Sequence, residues 1–211
     1  MKITKFVHSC LLVETTDHSA LFDPGVWSES AFEITKFEQL DDILITHEHA
    51  DHMSVPFIQK LVAKFPHVRI TTTAQAVDQL TQENIKASST APEGVKLFNA
   101  PHEGHQPFMT PPEQAGFHYL DLVSHPGDSH SFTETKMILA LPITAPWGST
   151  LAAVDLAIKL RPTYIVPVHD WLWRDEVRLM MYERLEQLFK ENGVTFLKLE
   201  NTKAVEIEEP E

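Results

Sequence analysis

Apolar runs broken by short polar stretches alternate along this chain at a spacing that suits layered α/β structure. The sharpest change falls after residues 43–46, Ile-Leu-Ile-Thr, which read as a buried strand. Upstream, residues 1–6, 7–15 and 20–22 read as strands, with Thr16-Asp17-His18-Ser19 as the turn joining the last two into a hairpin. Asp23-Pro24-Gly25 ends the third, and residues 27–40 read as a connection holding a short helical turn. Downstream, Ser54 stands where it can cap a helix over 55–65, and Val55, Ile58, Leu61, Val62 and Phe65 give that helix an apolar stripe. Further strands are expected over 68–73, 95–100, 115–120, 122–124, 137–141, 163–168 and 194–199. Further helices are expected over 74–85, from Ser149 through 160, and over 174–192, the last closed by Gly193. Residues 103–114 are rich in proline and polar side chains, a composition common in loops that cover a site. The acidic tail after Glu206 is expected to fray.

The polar stretch that follows the central strand is His47-Glu48-His49-Ala50-Asp51-His52. Imidazole and carboxylate are the ligands that zinc and related divalent ions take. A strand ending here delivers them at its carboxyl edge, where open α/β layers place ligands. Spacing divides the run: His47 and His49 can reach one ion from one side of an extended turn, and Asp51 and His52 can reach a second. More donors stand just after other expected strands: His102 after 95–100, Asp128 within His125-Pro126-Gly127-Asp128-Ser129, and His169 after 163–168. His105 competes with His102, since both lie in Pro-His-Glu-Gly-His; His102 is preferred because it directly follows the strand. Asp23 at a strand end either orients a ligand histidine or simply makes the turn before Pro24. Trp147 and Trp171 either wall a pocket or pack as ordinary loop aromatics.

Composition narrows the partners. A length of 211 residues suits one domain, and 43% hydrophobic residues provide a core without a run long enough to span a membrane. A net charge of −13 with no run of lysine or arginine makes nucleic acid and anionic lipid poor partners. A focus of divalent charge would still draw a small, even anionic, substrate. The first residues show no signal peptide, and the single cysteine, Cys10, cannot form an internal disulfide and reads as a small core residue. Both features point to the cytoplasm. Oligomeric state is not legible.

The run from 43 to 52 resembles the signature of the metallo-β-lactamase superfamily. His49 stands where the diiron flavoprotein branch has glutamate, so the resemblance is to a hydrolase branch. His8-Ser9-Cys10-Leu11-Leu12-Val13-Glu14, Asp23-Pro24, His125–Ser129 and Val166–His169 further resemble the ascorbate-6-phosphate lactonase-like proteins. The resemblance implies a four-layered αβ/βα sandwich in a single domain over 1–211. It implies one metal on His47, His49 and His102, a second on Asp51, His52 and His169, and Asp128 bridging the two with a water or hydroxide. Zinc is the first expectation, with manganese or iron as alternatives. The implied chemistry is hydrolysis of a small ester, lactone or phosphodiester by the metal-bridging hydroxide, with Asp51 as proton acceptor. His8 and His125 become candidates for lining the pocket. Two places depart from the lactonase-like pattern: the short segment between Asp128 and residue 137, and the loop Pro142-Ile143-Thr144-Ala145-Pro146-Trp147-Gly148, where that branch is glycine-rich.

Two other functional classes compete. A nuclease of the same fold calls for a basic stripe or an inserted domain, and neither is visible. A non-catalytic metal-binding or sensor protein would be marked by missing ligands, whereas every expected ligand has a candidate here. A thioesterase of the glyoxalase II type calls for a further helical region at the C-terminal end.

Overall fold

The computed structural model of the protein describes residues 1–104 and 110–208. They form two units, one of Met1–Pro92 with the chain from Leu199 onward, the other of Glu93–Lys198. Among the described residues no helix is long and apolar enough to cross a membrane.

The first unit holds a six-stranded mixed sheet of β1 (Lys2–Lys5), β2 (Leu11–Glu14), β3 (Ser19–Phe22), β4 (Asp42–Leu44), β5 (Arg69–Thr71) and β12 (Ala204–Glu206), in the order β12-β1-β2-β3-β4-β5. The pairs β12–β1, β1–β2 and β2–β3 are antiparallel, whereas β3–β4 and β4–β5 are parallel. At the start of β4, buried Asp42 accepts two hydrogen bonds from the Arg69 guanidinium of β5, at 2.8 and 2.7 Å. That clamp fixes the register whose far end carries the histidine loop. Helix α1 (Val55–Lys64) follows that loop, and the Ser54 hydroxyl caps it by accepting from the Phe57 N–H at 3.4 Å. The expected stripe packs into the core with Phe57, beside Leu21, Ile43 and Ile45. Helix α2 (Ala74–Gln82) is capped by Thr73 and ends three residues sooner than the sequence suggests.

The second unit repeats the plan. Its sheet comprises β6 (Val95–Phe98), β7 (Gly116–Tyr119), β8 (Val123–His125), β9 (Ile138–Pro142), β10 (Tyr164–Val168) and β11 (Thr195–Phe196), in continuous order from β6 to β11. β6, β7 and β8 are antiparallel, and β8 through β11 are parallel. The order and sense of the first five strands are thus the same in both units. Helix α3 (Thr150–Leu160) is capped by Ser149, and α4 (Asp175–Glu191) packs Tyr182, Leu185 and Phe189 into this core. α4 ends in a left-handed Gly193, φ +75°, with Gly193 N–H bonding Lys190 O and Val194 N–H bonding Phe189 O. Those paired bonds are what a terminal glycine provides.

Several expected strands are shorter in the structure or shifted by a residue, and β12 falls where the sequence suggested none. Residues 7–10 form no strand: Cys10 N–H bonds Val7 O and Phe6 N–H bonds Cys10 O, which closes a tight turn between β1 and β2. The apolar Val7 and Cys10 are buried there and imitate a strand in sequence.

Candidate metal centre

In the first unit, β4 ends at Leu44 and the chain passes straight into the ligand loop. His47 and His52 are buried, and His49 and Asp51 are half-buried. The His47 and His52 rings lie 4.1 Å apart, centroid to centroid. His47 Nε2 lies 3.1 Å from His49 Nδ1, and His52 Nε2 lies 3.7 Å from Asp51 Oδ2. The loop is anchored by backbone bonds to the segment after β3: Val26 N–H to Ala50 O and Ser54 N–H to Pro24 O, both at 2.9 Å. Gly25 lies so close that a Cβ there would sit 1.7 Å from Asp51 O.

Asp23 ties this half together. Fully buried at φ +43°, its Oδ1 accepts from Thr46 N–H at 2.7 Å. Its Oδ2 accepts from the Thr46 hydroxyl at 2.9 Å and from His52 Nδ1 at 2.8 Å. Because the Thr46 hydroxyl gives its proton to Asp23, it can only accept at its 3.0 Å contact with His47 Nδ1. Both histidines therefore carry their proton on Nδ1 and present the Nε2 lone pair.

In the second unit, Asp128 gathers the donors. Its Oδ2 lies 3.1 Å from His169 Nε2 and 3.6 Å from His102 Nε2, and it accepts from the Trp147 indole N–H at 2.9 Å. His102, Asp128 and His169 are all buried. The His169 ring donates Nδ1–H to Thr144 O at 2.7 Å, and His102 Nδ1 donates to Glu103 O. Again each imidazole is fixed by an oxygen on Nδ1 and turns Nε2 toward the carboxylate. His169 is held at φ +60° where β10 ends. The next residue, Asp170, is buried and accepts from the Tyr182 hydroxyl, which moors α4 to the end of β10. Burial first, and the Asp170 carboxylate second, push the Tyr182 hydroxyl well above its ordinary pKa.

These separations fit a divalent ion. Two ligand atoms at about 2.1 Å from one tetrahedral zinc lie roughly 3.4 Å apart. The donor pairs within each unit fall on both sides of that figure, from 3.1 to 3.7 Å. A metal-binding histidine also donates its other N–H to a carboxylate, carbonyl or hydroxyl, which fixes tautomer and ring. Four imidazoles here do so.

The profile of the β-lactamase superfamily domain matches residues 2–169. A UPF0173 protein of Pyrococcus abyssi is 33% identical, over 80% of this chain and 83% of its own length. The chain belongs to the metallo-β-lactamase superfamily. A UPF0173 metal-dependent hydrolase of Pyrobaculum neutrophilum is 28% identical over 80% of this chain and 84% of its own. Among solved structures, a metallo hydrolase of Ignicoccus hospitalis superposes with a TM-score of 0.71 at 18% identity, covering 98% of this chain and 99% of that one. A protein of Parabacteroides distasonis superposes with a TM-score of 0.72 at 22% identity, covering 94% and 93%. The metallo-β-lactamase fold expected from the histidine motif is thus the fold of this chain.

Within that superfamily framework, the structure brings together His47, His49, Asp51 and His52 in one unit and His102, Asp128 and His169 in the other. His105, the rival to His102, lies outside the described residues. Three residues take parts that the sequence left open or unassigned. Asp23 orients two histidines as well as making its turn. Trp147 binds the Asp128 carboxylate and packs edge-on to the His130 and His169 rings, with centroids 5.2 and 5.3 Å away. His8 is buried, with Nε2 3.1 Å from Asp51 Oδ2. Burial also holds the His130 pKa below its ordinary value, where its Nε2–H donates to Pro142 O. His125 is buried at the end of β8, its Nδ1 accepting from Gly127 N–H at 3.3 Å. Trp171 is 46% exposed. Cys10 is fully buried, and desolvation pushes its thiol far above the usual range, so it is core and not nucleophile.

Proposed function

We propose that this metal-dependent hydrolase of the metallo-β-lactamase superfamily holds two divalent ions on His47, His49, Asp51, His52, His102, Asp128 and His169, and cleaves a small ester, lactone or phosphodiester. The observation that carries the reading is the shared posture of His47, His52, His102 and His169. Each gives Nδ1–H to an oxygen and offers Nε2 beside a carboxylate or a second imidazole. A mixed imidazole and carboxylate set suits zinc first, with manganese and iron also compatible. When bound, such ions supply a nucleophilic water near neutral pH and polarise the substrate oxygen. Asp51, half-buried at the edge of its donor set, accepts the proton released during attack. Trp147 holds Asp128 among the donors of its own unit, and no serine or cysteine nucleophile takes part.

Support for a small substrate comes from charge. A chain of net charge −13 repels a polyanion, while one uncharged or singly charged ester does not pay that cost. The lactone choice rests on the resemblance of residues 8–14, 23–24, 125–129 and 166–169 to the lactonase-like branch. A single buried cysteine is in keeping with a reducing, cytoplasmic setting.

The test is turnover of zinc-loaded protein against a panel of lactones, phosphodiesters and thioesters, with Asp128→Ala and chelated protein as controls. Metal-dependent cleavage of a lactone, ester or phosphodiester is expected. Absence of bound metal under varied loading, or cleavage of nucleic acid alone, would overturn the proposal.

A further inference from the structure

We infer that His8 is a positioning residue that holds the Asp51 carboxylate in its metal-binding orientation; the inference rests on the metal-site reading above. Four independent features converge on this side chain. His8 sits in the tight turn between β1 and β2 at φ +61°, in the left-handed region that is strained for any residue with a side chain. Its ring is 1% exposed. The edge of Trp27 packs against it at 4.8 Å and 86°, and the His52 ring meets it at 5.6 Å and 75°. Its Nε2 lies 3.1 Å from Asp51 Oδ2, an ordinary N–H to carboxylate distance.

A carboxylate that binds a metal through one side is itself held by a hydrogen bond, because an unrestrained side chain pays rotamer entropy each time it ligates. The second unit shows the device already: the Trp147 indole N–H holds Asp128 at 2.9 Å. His8 provides the corresponding donor for Asp51, and Trp27 keeps its ring from turning away. The same Asp51 oxygen lies 3.7 Å from His52 Nε2, so the histidine that steadies the carboxylate steadies it beside a proposed ligand.

Two variants of the full chain separate the roles. In His8→Asn the amide reaches only to the place of Nδ1, and asparagine tolerates positive φ. In His8→Gln an N–H donor returns to the place of Nε2. Stoichiometry and affinity for zinc are measured by competition with a coloured chelator, and the cobalt-loaded proteins are compared by visible absorption; thermal melting of the metal-free forms reports folding. The expected result is a 10–100-fold loss of affinity for one ion in His8→Asn, the usual cost of removing a partner that orients a ligand. His8→Gln should recover it, and the cobalt band should keep its intensity. Wild-type affinity for both ions in His8→Asn would overturn the inference while leaving the metal reading intact. Equal loss in both variants with a changed cobalt band would overturn it too, by making His8 a ligand itself. Failure of the wild-type protein to bind metal would sink the metal reading instead.

Discussion

At the scale of single residues, the candidate site depends on side chains that hold the proposed ligands without being among them. Asp23 is the clearest case, accepting from three donors: Thr46 N–H, the Thr46 hydroxyl and His52 Nδ1. Asp23→Asn keeps the volume but brings in an NH2 group. Whichever way the amide turns, one donor then faces another. With the NH2 toward His52, that ring is driven to the other tautomer and Nε2 loses its lone pair; with it toward Thr46 N–H, the anchor of the histidine loop is lost. We expect a 10–100-fold weaker metal affinity with near-native circular dichroism; unchanged affinity would show that His52 is oriented by something else. Gly25 acts through the backbone. A methyl group there would stand 1.7 Å from Asp51 O and 2.8 Å from His52 N, so the ligand loop must move. Gly25→Ala should cost about 1–3 kcal/mol, the range for overpacked sites, and reduce metal content. A variant with wild-type stability and full metal loading would mean that the loop is looser than the 2.9 Å backbone bonds around it indicate.

At the scale of elements, the parts legible in the sequence were those with strong local chemistry. Ser54, Ser149 and Gly193 mark helix ends because a hydroxyl cap and a left-handed glycine are local needs, met within a few residues. The run 43–52 was legible because a buried strand cannot carry three histidines and an aspartate without a purpose. The turn at 7–10 was hidden: its buried Val7 and Cys10 continue the apolar pattern of β2, and only hydrogen bonds reveal the reversal that aims His8 at Asp51. Trp147 stayed open between pocket wall and loop packing, since no periodicity links it to Asp128. Strands of two or three residues, such as β11 and β12, leave too short a pattern to fix their ends. The β7–β8 hairpin adds a prediction. His118 stacks on Phe98 at 4.2 Å and its Nδ1 meets the Ser124 hydroxyl of the partner strand at 2.9 Å. Burial first, then the Lys136 cation, hold its pKa below the ordinary 6.5, against the opposing pull of Glu134 and Asp121. Above pH 6.5 the ring is neutral folded or unfolded and costs nothing; as pH falls from 6.5 through the lower folded value, the unfolded chain takes the proton first and stability is lost. Urea unfolding of His118→Phe and wild type, both metal-loaded, between about pH 7.5 and 5.5 should show a shallower acid decline in the variant. Parallel declines would remove His118 from the account.

At the scale of the whole molecule, charge and metal binding pull together. The chain carries 30 acidic and 17 basic side chains, and a buried carboxylate stands beside candidate histidines in each unit: Asp23 by His52 in the first, Asp128 by His102 and His169 in the second. Under the two-ion proposal the cations offset the negative charge that Asp51 and Asp128 bring to the donor sets. An ion bound to the folded chain alone stabilises it by about 2.7 kcal/mol when present at 100 times its dissociation constant. For a chain of this size that corresponds to roughly 5–11 °C in Tm for each ion. Chelated protein should therefore melt well below zinc-loaded protein, and the gap should grow with free zinc concentration. General screening of the acidic surface is a different effect and is separated by ionic strength: sodium chloride matched to the zinc buffer should restore little of the gap, because a Debye atmosphere does not enter a buried donor set. The Asp23→Asn variant ties the two scales together. Its weaker binding should narrow the gap at limiting zinc and let it reopen at higher zinc. If sodium chloride alone closes the gap in wild type, the stabilisation is surface screening and the donor sets do not bind metal as proposed.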